Sequence, residues 1–175
     1  MQLIDEFAGP PGPAVDVGAG RSALAIGLLE RGWRPVTAVD VSAAALAQLA
    51  ERAPESVDLR LVTSDILAWQ PQSPVSLWHD RATFHFLTHA DQQRAYVDLA
   101  ASTVHPGGTV VLGCFAADGP TQCSGLDVRR YQPEDLAALF KADFTVQHIA
   151  EQAHQDHVTP WGAVQRFTWV VLRRN

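Results

Sequence analysis

From residue 14 onward, short apolar runs alternate with helical periods, and the first three runs lead to a glycine or an aspartate. Ala14-Val15-Asp16-Val17 stops at Gly18, as a buried strand does. Ser22 to Arg31 then has helical spacing, with Leu24, Leu28 and Leu29 on one face and Gly32 closing it. Pro35 to Val39 reads as a second strand, and Ser42 is placed to cap an alanine-rich helix ending near Arg52. Leu59 to Val62 and Val75 to Trp78 give a third and a fourth strand. A helix follows from about Asp91 to Val104, with Thr88 and Asp91 in capping-box spacing. The turn Pro106-Gly107-Gly108 leads to a strongly apolar fifth strand, Thr109 to Phe115. Pro133-Glu134-Asp135 opens another helix. Phe144 to Ile149 and Val164 to Leu172 are successive strands with only a loop between them, which predicts an antiparallel pair. Such alternation, closed by a strand pair, is an α/β sandwich around a mostly parallel sheet, within one domain spanning 1–175. Gly9-Pro10-Pro11-Gly12-Pro13 separates a short amphipathic start from the rest.

In sheets of this kind ligands bind at the carboxyl ends of the strands, where the strand order reverses. The residues there form a set. Gly18 and Gly20 allow a tight turn and a close approach of backbone to ligand. Asp40 ends the second strand about twenty residues later, where a carboxylate can accept from both ribose hydroxyls. Asp65, in Ser64-Asp65-Ile66, can hold an exocyclic adenine amine while Ile66 packs on the ring. Asp16 precedes the first glycine. A carboxylate there repels a pyrophosphate but suits an ammonium group.

Together, Asp16-Val17-Gly18-Ala19-Gly20, Val39-Asp40-Val41, Ser64-Asp65-Ile66 and Pro106-Gly107-Gly108 resemble the successive motifs of class I, Rossmann-like S-adenosylmethionine-dependent methyltransferases. The resemblance covers nearly the whole chain. It implies a three-layer fold with a seven-stranded sheet whose last two strands are an antiparallel pair. It also implies S-adenosylmethionine as cofactor. Gly18, Ala19 and Gly20 would line its methionine moiety, Asp16 would lie near its ammonium, Asp40 and Val41 would meet the ribose end, and Asp65 with Ile66 the adenine. Ser22 stands where the family motif often has a third glycine. Only about thirteen residues precede the first strand, fewer than family members usually carry, so either the site is open or the natural start lies upstream.

The chemistry is expected after the fourth strand, where Trp78-His79-Asp80-Arg81-Ala82-Thr83-Phe84-His85-Phe86-Leu87 reads as one loop. His79, Asp80, Arg81 and His85 are the candidate catalytic residues, and His79 is also a candidate cofactor contact. His85 could act as a base, Asp80 could orient an amine or a histidine, and Arg81 could hold a carboxylate or pair with Asp80. The alternative is a structural Asp80–Arg81 pair beside a packed His85. The segment lacks the Asn/Asp-Pro-Pro-Tyr/Phe signature of amide and base N-methylation, which disfavours nucleic acid. So does a net charge of −6 with only 13 Lys and Arg. Cys114 and Cys123 read as free thiols; with His154 and His157 they could form a soft-ligand site, although the spacing is no metal motif. Trp161, Phe167 and Trp169 could wall a pocket, but the period-two spacing of the last two fits a core strand better. The segments 116–132 and 151–163 are short, so a small acceptor (thiol, metalloid, carboxylate or amine) is expected. A protein lysine or a non-catalytic cofactor-binding role is the alternative. No apolar run reaches membrane length, and Met1-Gln2-Leu3-Ile4-Asp5-Glu6 lacks a basic leader, so a cytoplasmic location is the default expectation.

Overall fold

A computed structural model of the chain describes residues 1–53, 58–151, 157–158 and 164–175. The elements are α1 (Gln2–Phe7), β1 (Ala14–Val17), α2 (Leu24–Glu30), β2 (Val36–Asp40), α3 (Ala43–Arg52), β3 (Leu59–Thr63), β4 (Val75–Arg81), α4 (Ala90–Thr103), β5 (Val104–Phe115), β6 (Gln122–Cys123), β7 (Leu126–Asp127), α5 (Pro133–Ala138), β8 (Phe144–Glu151), β9 (His157–Val158), β10 (Val164–Gln165) and β11 (Phe167–Arg174), with a single 3₁₀ turn at Phe84–Phe86. Seven strands form one sheet in the order β3-β2-β1-β4-β5-β11-β8. The first five are mutually parallel, and β11 runs antiparallel to both β5 and β8. The expected seven-stranded architecture with its antiparallel pair is thus present.

Every residue of β1 is buried, because helices cover both faces of the sheet. One core lies under α4 and α5 around Trp78, Phe84, Tyr96 and Phe140; the other lies under α1 and α2 around Leu28, Trp33, Leu77 and Trp169. Fully burying side chains of this size contributes about 1.5–3 kcal/mol each. Leu3 and Ile4 of α1 are buried in the second core. Ser42 caps α3 as expected, its Oγ accepting from Ala45 N at 3.1 Å.

Several boundaries differ from the sequence reading. The N-cap of α4 is His89 rather than Thr88, and Gln92 Oε1 accepts from His89 N. The Pro106-Gly107-Gly108 turn falls within β5, where the pairing with β4 shifts register between Val75 and Leu77. β4 does not stop at Trp78 but continues through Arg81. Among the described residues no helix is long and apolar enough to cross a membrane.

The strand order reverses between β1 and β4, so the carboxyl ends of β1, β2, β3 and β4 open into one region.

Candidate active site

The turn after β1 is built on left-handed backbone: Gly18 has φ 63° and Gly20 φ 53°. Gly18 is also sterically bound to be glycine. A Cβ there would lie 1.7 Å from Thr83 Oγ1, which itself donates to Val17 O. Asp40 ties the turn to the end of β2: its Oδ2 accepts from Gly20 N at 2.8 Å and its Oδ1 from Ser42 N at 2.8 Å. Ala19 N donates to Val39 O at 3.1 Å. The glycine turn and the β2 carboxylate are therefore one hydrogen-bonded unit.

Asp16 and His79 are register partners on β1 and β4, and their side chains meet. His79 Nδ1 lies 2.9 Å from Asp16 Oδ1, with Asp16 2% and His79 7% exposed. Asp16 Oδ2 is buried without a hydrogen-bond partner among the described residues. An unsatisfied buried carboxylate oxygen is costly, and Asp16 is one of the residues lining a cleft. On the far side of the strand pair, Trp169 of β11 reaches over Gly113 of β5 to within 6.3 Å of the His79 ring. Only glycine allows this crossing, since a Cβ at 113 would lie 2.7 Å from the indole.

Two adjoining clefts open here. One, of about 380 Å³, is lined by Asp16, the Gly18–Ser22 turn, His79 and Arg81. The other, of about 700 Å³, is lined by Asp40, Val41, Asp65, Ile66 and Ala82 among others, with Cys123, Ser124 and Leu126 of the β6–β7 hairpin on its rim. Gly18 and Arg81 belong to both. Val41 stands 71% exposed at the lip while Ile66 is buried in the wall. Asp65 Oδ1 accepts from Leu67 N at 2.8 Å. The side chain of Arg81 makes no hydrogen bond or ion pair among the described residues.

Two candidate catalytic residues are withdrawn from these clefts. Because β4 runs through Arg81, its side chains alternate, and Asp80 points into the core opposite His79 and Arg81. There it is fully buried and accepts from Thr83 N at 2.9 Å, Phe84 N at 3.0 Å and the Tyr96 hydroxyl. Burial raises its carboxyl to about 7, against the lowering effect of those hydrogen bonds. Asp80 does not pair with Arg81; it pins the turn that follows the strand. His85 is also fully buried, its ring 4.7 Å from that of Phe86 and 4.6 Å from that of Phe115. Burial pushes its imidazole down to about 4, and neither nitrogen has a partner. It lines neither cleft, so its expected role as a base fails on geometry.

Cys114 is buried in β5, its thiol pushed up by burial, while Cys123 sits on the hairpin. Among the described residues no three His, Cys, Asp or Glu side chains converge as a metal site. His154, Trp161 and the side chain of His157 lie outside the described residues. Phe167 and Trp169 are core-facing, as their spacing implied. The sequence reading missed Thr83, Tyr96 and the hairpin: Thr83 and Tyr96 carry no motif, and the hairpin strands are two residues each.

Residues 14–108 match the family model described as a methyltransferase domain. Among solved structures, the chain is similar to the 1,6-didemethyltoxoflavin-N1-methyltransferase of Burkholderia thailandensis with bound 1,6-didemethyltoxoflavin and S-adenosylhomocysteine. The TM-score is 0.78 at 24% identity, covering 99% of this chain and 75% of that one. It is similar to the N-methyltransferase NodS of Bradyrhizobium japonicum, with a TM-score of 0.76 at 17% identity over 98% of this chain and 89% of that one. A third such structure is an S-adenosylmethionine-dependent methyltransferase of Methanosarcina mazei, with a TM-score of 0.79 at 10% identity over 99% and 97% of the two chains. At these identities the likeness shows the fold. No curated protein matches the sequence.

Proposed function

Because the chain belongs to the methyltransferase domain family, and is an S-adenosylmethionine-dependent enzyme of its Rossmann-like class, we propose that it methylates a small molecule held against the Arg81 end of the paired clefts. The observation that carries this is the unpartnered Oδ2 of Asp16 in the wall of the smaller cleft. It is a buried acceptor in want of a cationic donor, and the ammonium of the cofactor's methionine moiety is such a donor. The cofactor supplies an electrophilic methyl group on a sulfonium sulfur.

The residues present fit the rest of it. The Gly18–Gly20 turn leaves room at the backbone for the methionine moiety. Asp40, already held by two backbone N–H groups, keeps lone pairs for ribose hydroxyls. Exposed Val41 and buried Ile66 offer two apolar surfaces for a flat base, with Asp65 beside them as acceptor. Arg81 would take a carboxylate, of cofactor or acceptor. A cleft of about 700 Å³ falls in the range of roughly 300–1,000 Å³ usual for small-ligand sites. Its rim is a hairpin of only six residues, Gln122 to Asp127, too short for an extensive protein-binding surface. A small-molecule acceptor also agrees with the bound ligand of the Burkholderia enzyme.

Calorimetric titration with S-adenosylmethionine and S-adenosylhomocysteine tests the reading. Micromolar binding is expected. Asp40→Ala should weaken it about tenfold or more, since a hydrogen bond to a charged group contributes about 1.5–3 kcal/mol. Unchanged affinity in that variant would refute the assignment of the ribose site. Labelling a cell extract with radioactive cofactor then separates acceptors: label in the low-mass fraction supports the proposal, and label confined to protein favours a lysine acceptor.

A further inference from the structure

Resting on that reading of the clefts, we infer that His79 takes the proton of the methyl acceptor, and that the acceptor presents an O–H or N–H group still protonated at neutral pH. Four observations converge on this ring. First, a carboxylate can only accept, so the 2.9 Å contact to Asp16 Oδ1 places the proton of a neutral imidazole on Nδ1. Nε2 then carries the lone pair, and it has no partner among the described residues. Second, the ring lines the cleft that also holds the glycine turn and Arg81. Third, the ring is fixed: Asp16 orients one edge, and Trp169, admitted over Gly113, packs nearby. Fourth, the other candidate bases are removed from the clefts, with Asp80 and His85 both fully buried.

The charges facing His79 suit the task. Asp16 of β1 stabilises the imidazolium once formed, as the carboxylate of a Ser-His-Asp triad does. Arg81 at the end of β4 and Arg21 in the glycine turn line the same cleft. The two oxygens of Asp16 are thereby divided between the base and the cofactor.

The step balances as follows. The acceptor heteroatom gives its lone pair to the methyl carbon. The carbon–sulfur bond breaks and its electron pair stays on sulfur, leaving S-adenosylhomocysteine. The acceptor proton passes to His79 Nε2 and then to solvent. A base is needed only if the nucleophile carries that proton. A thiolate or a metalloid lone pair, both open from the sequence, would gain nothing from this arrangement.

The test uses the full chain labelled with ¹⁵N, with His79→Gln identifying the His79 signals. Long-range proton–nitrogen correlation at neutral pH should find Nδ1 protonated and Nε2 bare, and Asp16→Ala should move the proton to Nε2. A wild-type His79 protonated on Nε2 overturns the inference. Titrating the same sample with S-adenosylhomocysteine separates the two failures: no binding overturns the cofactor reading itself, whereas binding with the wrong tautomer overturns only the base. Phenol, protonated at neutral pH, and thiophenol, ionised there, serve as kinetic probes. His79→Gln should lose about 10²–10⁴-fold of kcat towards phenol and a much smaller factor towards thiophenol. Equal rates with phenol in variant and wild type would overturn the inference. If neither probe is turned over, the tautomer decides.

Discussion

Replacing His85 by phenylalanine removes a titrating group while keeping a ring of similar size between Phe86 and Phe115. Both nitrogens of His85 are buried without partners, so nothing is left unsatisfied by the change, and near neutral pH its cost should stay within about 1 kcal/mol. The pH dependence is where the variant departs. Burial lowers the folded imidazole from 6.5 to about 4. Between those values the unfolded chain binds a proton that the native state refuses, so wild-type stability falls as pH falls through that window. Each pKa unit is worth about 1.4 kcal/mol, which gives a term of roughly 3 kcal/mol. Asp80 has the opposite sign. Its folded carboxyl, raised from 3.8 to about 7, keeps a proton that the unfolded chain releases. That contribution falls as pH rises through the window, by roughly 4 kcal/mol. In the wild type the two slopes oppose each other between about pH 4 and pH 6.5. In His85→Phe only the Asp80 slope remains, so the variant gains roughly 3 kcal/mol on the wild type as pH is lowered from about 7 to about 4. Urea unfolding of both proteins at closely spaced pH values measures this difference directly. A difference that stays constant across the range would mean that folded His85 accepts a proton as readily as the unfolded chain does, and the reasoning from burial would fail.

Tyr96→Phe removes the hydroxyl that accepts from Trp78 Nε1 at 2.9 Å and donates to Asp80, leaving one buried N–H orphaned. The expected cost is about 3 kcal/mol in urea unfolding, and a cost under about 1 kcal/mol would show that this network does not hold the turn. Gly113→Ala brings a methyl group within 3 Å of three indole atoms of Trp169 and should cost about 1–3 kcal/mol, read as a lowered Tm. An unchanged Tm would mean that the indole yields freely.

The parts of the fold set by local chemistry were readable in advance. The strand–helix alternation, the glycine turn, the Ser42 cap and the terminal strand pair each rest on residues close together in sequence. The placing of Asp40 and Asp65 at the larger cleft was readable too, because Asp40 ends β2 and Asp65 follows β3 by two residues. The segment after Trp78 was not. His79, Asp80 and Arg81 are three polar residues in succession and read as loop. They are strand because Asp80 is satisfied inside the core by Tyr96, sixteen residues on, a tertiary contact that no local pattern announces. Misplacing that boundary also left Asp80 beside Arg81 as a possible pair, since a loop gives no reason to send Asp80 into the core and His79 to the cleft. The Trp169–Gly113 crossing was hidden for a similar reason: its two halves lie on strands that become neighbours only in the folded sheet.

The continuation of β4 through Arg81 also sorts substitutions by parity. Positions 79 and 81 share one face and the cleft, while position 80 belongs to the interior. Substitutions at the two odd positions therefore alter the cleft wall without disturbing what the even one anchors. Deleting a single residue within the strand does the reverse. It turns a carboxylate towards the cleft and drives an arginine and a histidine into the core, exchanging reactivity and support in one step.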